Sequence, residues 1–251
     1  MSNDSDASTI GAIYDEFGDY YNKSRKEDHG RFSNEFIDVP TLLSVLDTDL
    51  KDQRVLDAGC GSGIIAQLLA GKGAKVNAVD ASKRMIEIAQ TETPAGLDIT
   101  YATGNVAQLS FPDATFDLIV CNYVLENVGD IETVFHEFRR VLKDSGKCIF
   151  SVSHPLRACA EKMERDGEEV WVLRDYFNRS MRQSDFGGGM VVPKYRRPLE
   201  DYAQTVSSAG FFIDRLIEPQ PVPDGKAMHP EAYEKAMRLP QLLSFEIVCK
   251  P

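Results

Sequence analysis

Residues 55–63 read Val55-Leu56-Asp57-Ala58-Gly59-Cys60-Gly61-Ser62-Gly63. A short apolar run ends in an aspartate, three glycines follow at alternate positions, and Ile64-Ile65-Ala66-Gln67-Leu68-Leu69 opens a helical pattern. Glycine lets the backbone turn sharply there and lets a ligand approach the main chain. The helix beyond presents its free N–H groups and positive dipole end to that ligand. A second carboxylate, Asp80, closes the next apolar run 17 residues after Gly63. At the end of a strand it can accept two hydrogen bonds from a ribose diol. A third candidate is His154, which directly follows an apolar run in Ser153-His154-Pro155. Histidine titrates in the range a general base needs, and it also serves as a hydrogen-bonding residue at strand ends.

These residues require strands that end together and helices that follow them. Arg54–Ala58, Lys75–Asp80, Ile99–Thr103, Phe116–Asn122 and Lys147–Ser153 read as strands. Helices are expected over Gly63–Lys72, over Ser82–Gln90 with Ser82 as cap, and after Asp130, with Ile131, Val134, Phe135, Phe138, Val141 and Leu142 on one face. Lys143-Asp144-Ser145-Gly146 reads as a turn. Such alternation predicts an α/β fold: a Rossmann-like doubly wound sheet, mostly parallel, with an antiparallel last strand. Ahead of it, Ile10, Ile13, Tyr14, Phe17 and Tyr21 predict an amphipathic helix, Asn22–Gly30 a loop, and Phe32–Leu46 a second helix that Pro40 kinks or breaks. Beyond it, 154–197 reads as a long irregular insertion of the kind that forms lids or binding loops. Pro198 then opens a helix closed by Gly210, Phe211–Glu218 and Ser244–Lys250 read as strands, and the intervening loop has room for a short helix near Glu231–Met237. The chain divides into a disordered tail (1–8) and one domain with a helical cap (9–50), a binding core (51–153), the lid insertion (154–197) and a C-terminal part (198–251).

Composition narrows the function. The chain has 251 residues, is 43% hydrophobic and 27% charged, and carries a formal net charge of −11. That balance argues against gripping nucleic acid, which needs a concentrated basic surface. Five cysteines without a CxxC pair fit the reducing cytoplasm better than a disulfide scaffold. The four histidines, His29, His136, His154 and His229, have no zinc-like spacing, so no metal is expected. No apolar run approaches the ~20 residues that cross a bilayer. A monomer or a homodimer acting on a small molecule is the expectation.

Two cofactor classes use a strand–glycine–helix corner. Gly61-Ser62-Gly63-Ile64-Ile65-Ala66 matches the loose GxGxxA form of NAD or FAD enzymes. The other class is S-adenosylmethionine (SAM). Leu56-Asp57-Ala58-Gly59-Cys60-Gly61-Ser62-Gly63 resembles the acidic-x-Gly-x-Gly-x-Gly signature of class I SAM-dependent methyltransferases, whose acidic residue dinucleotide enzymes normally lack. Asp80 is similar to the family's ribose-binding acid. Gly104-Asn105-Val106, Leu109-Ser110-Phe111-Pro112-Asp113 with Phe116-Asp117, and Arg139-Arg140-Val141-Leu142-Lys143-Asp144-Ser145-Gly146 resemble later family motifs in family order, with Asn105 where Asp is usual and Asp144-Ser145 replacing Pro-Gly. The resemblance covers 55–153 closely and implies a site. Gly59, Gly61 and Gly63 would border the methionine part of SAM, with Asp57 steadying the loop and the ammonium. Asp80 would take the ribose hydroxyls. Ala81 and Met85 would lie near the adenine, and Asn105 and Val106 would read its edge. Cys121 would offer its backbone carbonyl to the ammonium.

The methyl acceptor would sit outside the carboxyl ends of the strands. Tyr14, Tyr20 and Tyr21 from the first helix could close over the site, Tyr21 against SAM. Tyr123 and Asn127 could line the pocket, with His154 as base. Tyr195 and Arg196 stand at the end of the insertion, where an arginine could hold an anionic acceptor. The expected reaction is direct in-line methyl transfer to oxygen or nitrogen of a small molecule. The alternatives are an NAD(P)-dependent oxidoreductase and a non-catalytic SAM-binding regulatory protein.

Overall fold

The computed structural model describes residues 3–27 and 32–250. Seven strands form one sheet: β1 (Arg54–Ala58), β2 (Lys75–Asp80), β3 (Ile99–Thr103), β4 (Phe116–Asn122), β5 (Leu142–Ser153), β10 (Phe211–Ile217) and β11 (Leu242–Cys249). Their order across the sheet is β10-β11-β5-β4-β1-β2-β3. The pairs β1–β2, β1–β4, β2–β3 and β4–β5 are parallel. The last strand, β11, runs antiparallel to both β5 and β10. The chain winds outward from β1 in one direction through β2 and β3, and in the other through β4 and β5. The strand order therefore reverses between β1 and β4, which opens a crevice at their carboxyl ends.

The central strands read as continuous apolar runs because helices cover both faces. One face packs on α3 (Ile64–Gly71) and α2 (Val39–Val45), the other on α5 (Ile131–Val141) and α7 (Leu199–Ser208). On the second face Phe150 stacks on Phe245, with ring centroids 4.6 Å apart and planes 10° from parallel, and meets Phe135 edge-on at 5.0 Å. α4 (Lys83–Glu92) begins at Ser82, whose hydroxyl accepts from the Met85 N–H. α5 begins at Asp130, whose carboxylate accepts from the Thr133 N–H. The expected turn at 143–146 is a bulge within β5: pairing with β4 skips from Phe116–Leu142 to Leu118–Lys147.

Pro40 neither ends nor breaks the second helix. A π-helical turn, Asn34–Asp38, precedes it and runs straight into α2. Widening the turn relieves the clash a proline makes with the carbonyl four residues back. That carbonyl, of Phe36, accepts instead from the Val222 N–H at 2.8 Å.

Two expectations need correction at the N-terminus. Residues 3–8 are not a disordered tail; helix α1 spans Asn3–Lys26. It also runs through the first half of the expected loop, whose remainder, with His29, lies largely outside the described residues. The 154–197 insertion is regular rather than irregular. After the single-turn helix α6 (Pro155–Ala158) come two hairpins, β6 (Ala160–Arg165) with β7 (Glu168–Leu173) and β8 (Met181–Asp185) with β9 (Val191–Tyr195). The first turns on Asp166-Gly167, both with positive φ, the geometry a two-residue hairpin demands. Its strands hide because AEKMER is solvated on both faces and shows no alternation. Two helices, α8 (Asp224–Met228) and α9 (Pro230–Arg238), fill the proline-rich segment before β11. Among the described residues no helix is long and apolar enough to cross a membrane.

Phe150 is fully buried between Phe245 and Phe135. Phe150→Ala should cost about 3–5 kcal/mol, read as a lowered urea midpoint with an unchanged slope.

Candidate active site

The crevice at the ends of β1, β2 and β4 is a solvent-open cleft with about 1080 Å³ of empty volume, counting the open solvent at its mouth. Its floor is the glycine corner. Gly59, Gly61 and Gly63 all adopt positive φ, at 80°, 53° and 81°. A Cβ on Gly59 would fall 2.1 Å from the Val124 side chain, so Gly59 is what lets the β1 loop and the β4 loop meet. Gly63 has a different task. It caps α3 and stands off the cleft, and a Cβ there would strike the Tyr101 hydroxyl at 2.5 Å. Gly63 serves helix packing, while Gly59 and Gly61 border the open space.

Two carboxylates face one another across this floor. Asp80 is half-buried; one oxygen accepts from the Gly61 N–H at 2.8 Å and the other from the Ser82 N–H at 2.9 Å. Asp57 is buried, and its Oδ2 has no hydrogen-bond partner. Burial, then repulsion from Asp80, pushes its pKa up to about 7. An uncompensated buried oxygen at the edge of a cleft is suited to accept from a cationic or N–H donor.

The adenine-side candidates gather as expected. Ala81, Met85, Asn105 and Val106 line the cleft. Asn105 Oδ1 accepts from the Ala107 N–H at 2.9 Å, which fixes the amide plane. Cys121 does not line it. Its side chain is wholly buried in the core, and β4 runs one residue further, so Asn122 reaches the edge.

Helix α1 roofs the cleft. Gly11 and Gly18 lie on one face, and Cβ atoms there would come within 2.6 Å of the Ala81 carbonyl oxygen and 3.1 Å of the Arg84 side chain. Asp15 accepts from the Ser82 hydroxyl at 2.7 Å and from the Arg84 N–H at 3.0 Å, and Arg84 pairs with Asp19. On the opposite side Asp6 accepts from the Gly129 N–H at 2.9 Å and from the Tyr195 hydroxyl at 3.2 Å. Tyr14 and Tyr21, edge-to-face at 5.0 Å, line the cleft from this roof. Tyr20 does not; its hydroxyl donates to the Phe186 carbonyl, and its ring rests on Gly187 and Gly188 in the β8–β9 turn. Tyr195 likewise latches α1 from outside, and Arg196 binds the Ser180 hydroxyl at 2.9 Å, away from the lining.

Past β4 the chain turns on Tyr123, whose φ of 59° is strained for a non-glycine residue. Tyr123 lines the cleft and donates to Asp38 Oδ1 at 3.2 Å. The second oxygen of Asp38 is buried without a partner, and burial raises its pKa to about 7. Asn127 also lines the cleft, its amide held by the Pro193 carbonyl at 2.9 Å.

His154 is not available as a base. Its Nδ1 accepts from the Leu156 N–H at 3.2 Å, capping α6, so Nε2 carries the proton and donates to Glu218 at 2.8 Å. The ring is buried and stands off the cleft.

Sequence reasoning missed Arg25. It is the one cation among the described residues that line the cleft, held by the Asn34 amide and by Tyr21, whose hydroxyl lies 3.4 Å from Nη1. Its position in a segment expected to be a loop concealed it. Asp6 was hidden in the same way by the supposed tail.

Comparison with known proteins agrees with this geometry. Residues 56–150 match the methyltransferase domain family. The fold superposes on a proposed SAM-dependent methyltransferase from Listeria monocytogenes with a TM-score of 0.75 and 30% identity, over 85% of this chain and 96% of that one. A SAM-dependent methyltransferase from Mesorhizobium loti gives a TM-score of 0.74 and 25% identity, over 83% and 95%. A ubiquinone biosynthesis O-methyltransferase from Methylocella silvestris is 43% identical over 83 residues, but this chain spans only 32% of its length. The chain belongs to the SAM-dependent methyltransferases, and its cofactor is SAM. The orphaned oxygen of Asp57 and the side-chain-free cradle at Gly59 and Gly61 fit that group.

Gly59→Ala should weaken binding of the product S-adenosylhomocysteine by about tenfold or more, close to 1.4 kcal/mol, measured by calorimetry on a variant whose circular dichroism is unchanged.

Proposed function

We propose that the protein methylates an oxygen or nitrogen of a small-molecule acceptor admitted beneath α1, in the reducing cytoplasm. The observation that carries this reading is the placement of Tyr14, Tyr21, Tyr123 and Asn127 around the same cleft as Asp57 and Asp80. The O-methyltransferase relative supports oxygen as the receiving atom. The dinucleotide alternative loses its basis with the family assignment.

The cofactor supplies an activated methyl group, so the protein's task is alignment and exclusion of water. Asp80 takes the ribose hydroxyls on lone pairs left free by Gly61 and Ser82. Asp57 takes the ammonium on its unpartnered oxygen. Arg25, the cation that lines the cleft, takes the methionine carboxylate. Val106, Ala81 and Met85 enclose the adenine, with Asn105 at its edge. α1 shuts the roof, and such positioning is worth ~7–11 kcal/mol in reactions of this kind. Where the acceptor must lose a proton, Tyr123 receives it as its own hydroxyl proton passes to Asp38. A carboxyl group near neutrality is suited to that exchange.

Three outcomes test this. Asp57 is half-protonated near pH 7 when the site is free, and a bound ammonium favours the carboxylate. Binding therefore releases a proton, and S-adenosylhomocysteine affinity should rise by about tenfold between pH 6 and pH 8. In Asp57→Asn that slope should vanish. Arg25→Gln should weaken S-adenosylhomocysteine by about tenfold yet leave 5′-methylthioadenosine, which lacks the carboxylate, unaffected; equal losses on both would remove Arg25 from this role. Methyl-labelled SAM incubated with a metabolite extract should label a small molecule, and the absence of any label would sink the reading.

A further inference from the structure

The β8–β9 hairpin has two faces with different partners. One holds Tyr195, which reaches Asp6 on the roof of the cleft. The other carries cations. Arg182 pairs directly with Lys194, and Arg196 lies opposite Ser180, so Arg182, Lys194 and Arg196 share a face, as cross-strand neighbours do. Lys194 is neutralised by the buried Glu126. Arg182 and Arg196 are not paired with any acid among the described residues, in contrast to Arg84, Arg140 and Arg179, each of which holds one.

Helix α6 brings a third guanidinium to the same place. Arg182 Nη1 donates to the Ala158 carbonyl at 3.0 Å, and the residue before Ala158 is Arg157. Arg157 lies over the Trp171 ring at 4.2 Å and likewise has no acid partner among the described residues. Burial, then repulsion from Arg182, pulls its pKa below the ordinary arginine value. The Cys159 thiol, next along the chain, lies in the field of both Arg196 and Arg182. Arg196 Nε is buried with no partner at all. Arg157 and Arg196 are half-buried and Arg182 is exposed, so solvent screens the repulsion among the three guanidinia only in part, and an anion seated between them would relieve the rest.

We propose that Arg157, Arg182 and Arg196, between α6 and the β8–β9 hairpin, form a binding site for a phosphate group, outside the methyl-transfer cleft. The planar fork of arginine matches phosphate oxygens two at a time, and a ring face such as that of Trp171 holds a guanidinium plane in place. A dianion answers three clustered positive charges better than a single carboxylate. The cluster is too small, and the protein too acidic, to track a nucleic-acid backbone. The shared chemistry has two sources, free phosphate and the phosphate ester of an organic molecule.

Calorimetry on the full chain, at constant ionic strength in chloride, tests the site with inorganic phosphate and with phenyl phosphate. One saturable site per chain is expected. Arg157→Gln and Arg182→Gln should each weaken it by about tenfold or more, while S-adenosylhomocysteine affinity and thermal midpoint stay as in the parent. Arg165→Gln, on the exposed tip of the first hairpin, should leave phosphate binding unchanged. Phenyl phosphate binding at least about tenfold tighter than phosphate identifies an ester as the ligand; equal affinities identify the free ion. No saturable binding of either probe overturns the proposal. So does an equal loss in Arg165→Gln, which would mean diffuse charge screening rather than a site.

Discussion

The structure turns on two carboxylates set side by side where β1 and β2 end. Asp57 is buried with one oxygen unpartnered, and Asp80 accepts with one oxygen from Gly61 in the loop that separates them and with the other from Ser82 just beyond itself. Left alone, such a pair is unfavourable: burial raises both pKa values, and the charge of Asp80 raises that of Asp57 further. The fold tolerates it because strands buried on both faces fix where each aspartate emerges, and because the glycines leave no side chain to intervene. What results is a site of negative potential that a ligand carrying positive charge relieves. Ligand binding and relief of electrostatic strain are therefore the same event.

The remaining architecture follows from covering that site without filling it. A roof must lie close over Ala81, and α1 does so with glycine at positions 11 and 18. It is held at both margins by polar contacts, Asp15 and Asp19 on the α4 side, Asp6 and Tyr20 on the side of the β8–β9 hairpin. The one exposed ion pair among them, Arg84–Asp19, contributes only about 0–1 kcal/mol, and each hydrogen bond about 0.5–1.5 kcal/mol. A roof fastened by several weak contacts can open and close while the sheet beneath keeps its shape, and its glycines let it seat closely when shut.

The parallel core was legible because its physics is local. β1, β2 and β3 stand where short runs ended at aspartate or glycine, β4 where a long apolar run ended at Asn122, and Ser82 and Asp130 announced their helices as caps. Failures came where tertiary contacts override local signals. Residues 3–8 are mostly polar, yet they are helical because Asp6 meets Gly129 and Tyr195 far along the chain. The β6–β7 strands lack alternation because both faces meet water, though Asp166-Gly167 was a readable turn. Among the candidates, those at or just past strand ends, including Asp57, Asp80 and Asn127, do line the cleft. Arg25 and Asp38 were missed, since nothing near them in sequence says which side of a helix will face a cleft.

His154 shows why position at a strand end does not define a base. It occupies the carboxyl edge of β5, as a catalytic histidine would, but Pro155 starts a helical turn whose first free N–H groups need an acceptor. The imidazole supplies one, and that fixes its proton on the other nitrogen, toward Glu218. Tyr123 lies at the equivalent edge of β4 and is held in a left-handed conformation. Its hydroxyl is bonded to Asp38, whose second oxygen has no partner of its own. Strain at Tyr123 and an unsatisfied oxygen at Asp38 are both costs that packing alone does not require. Their coincidence beside the cleft, rather than the identity of either residue, is what makes this edge the better candidate for the proposed proton transfer.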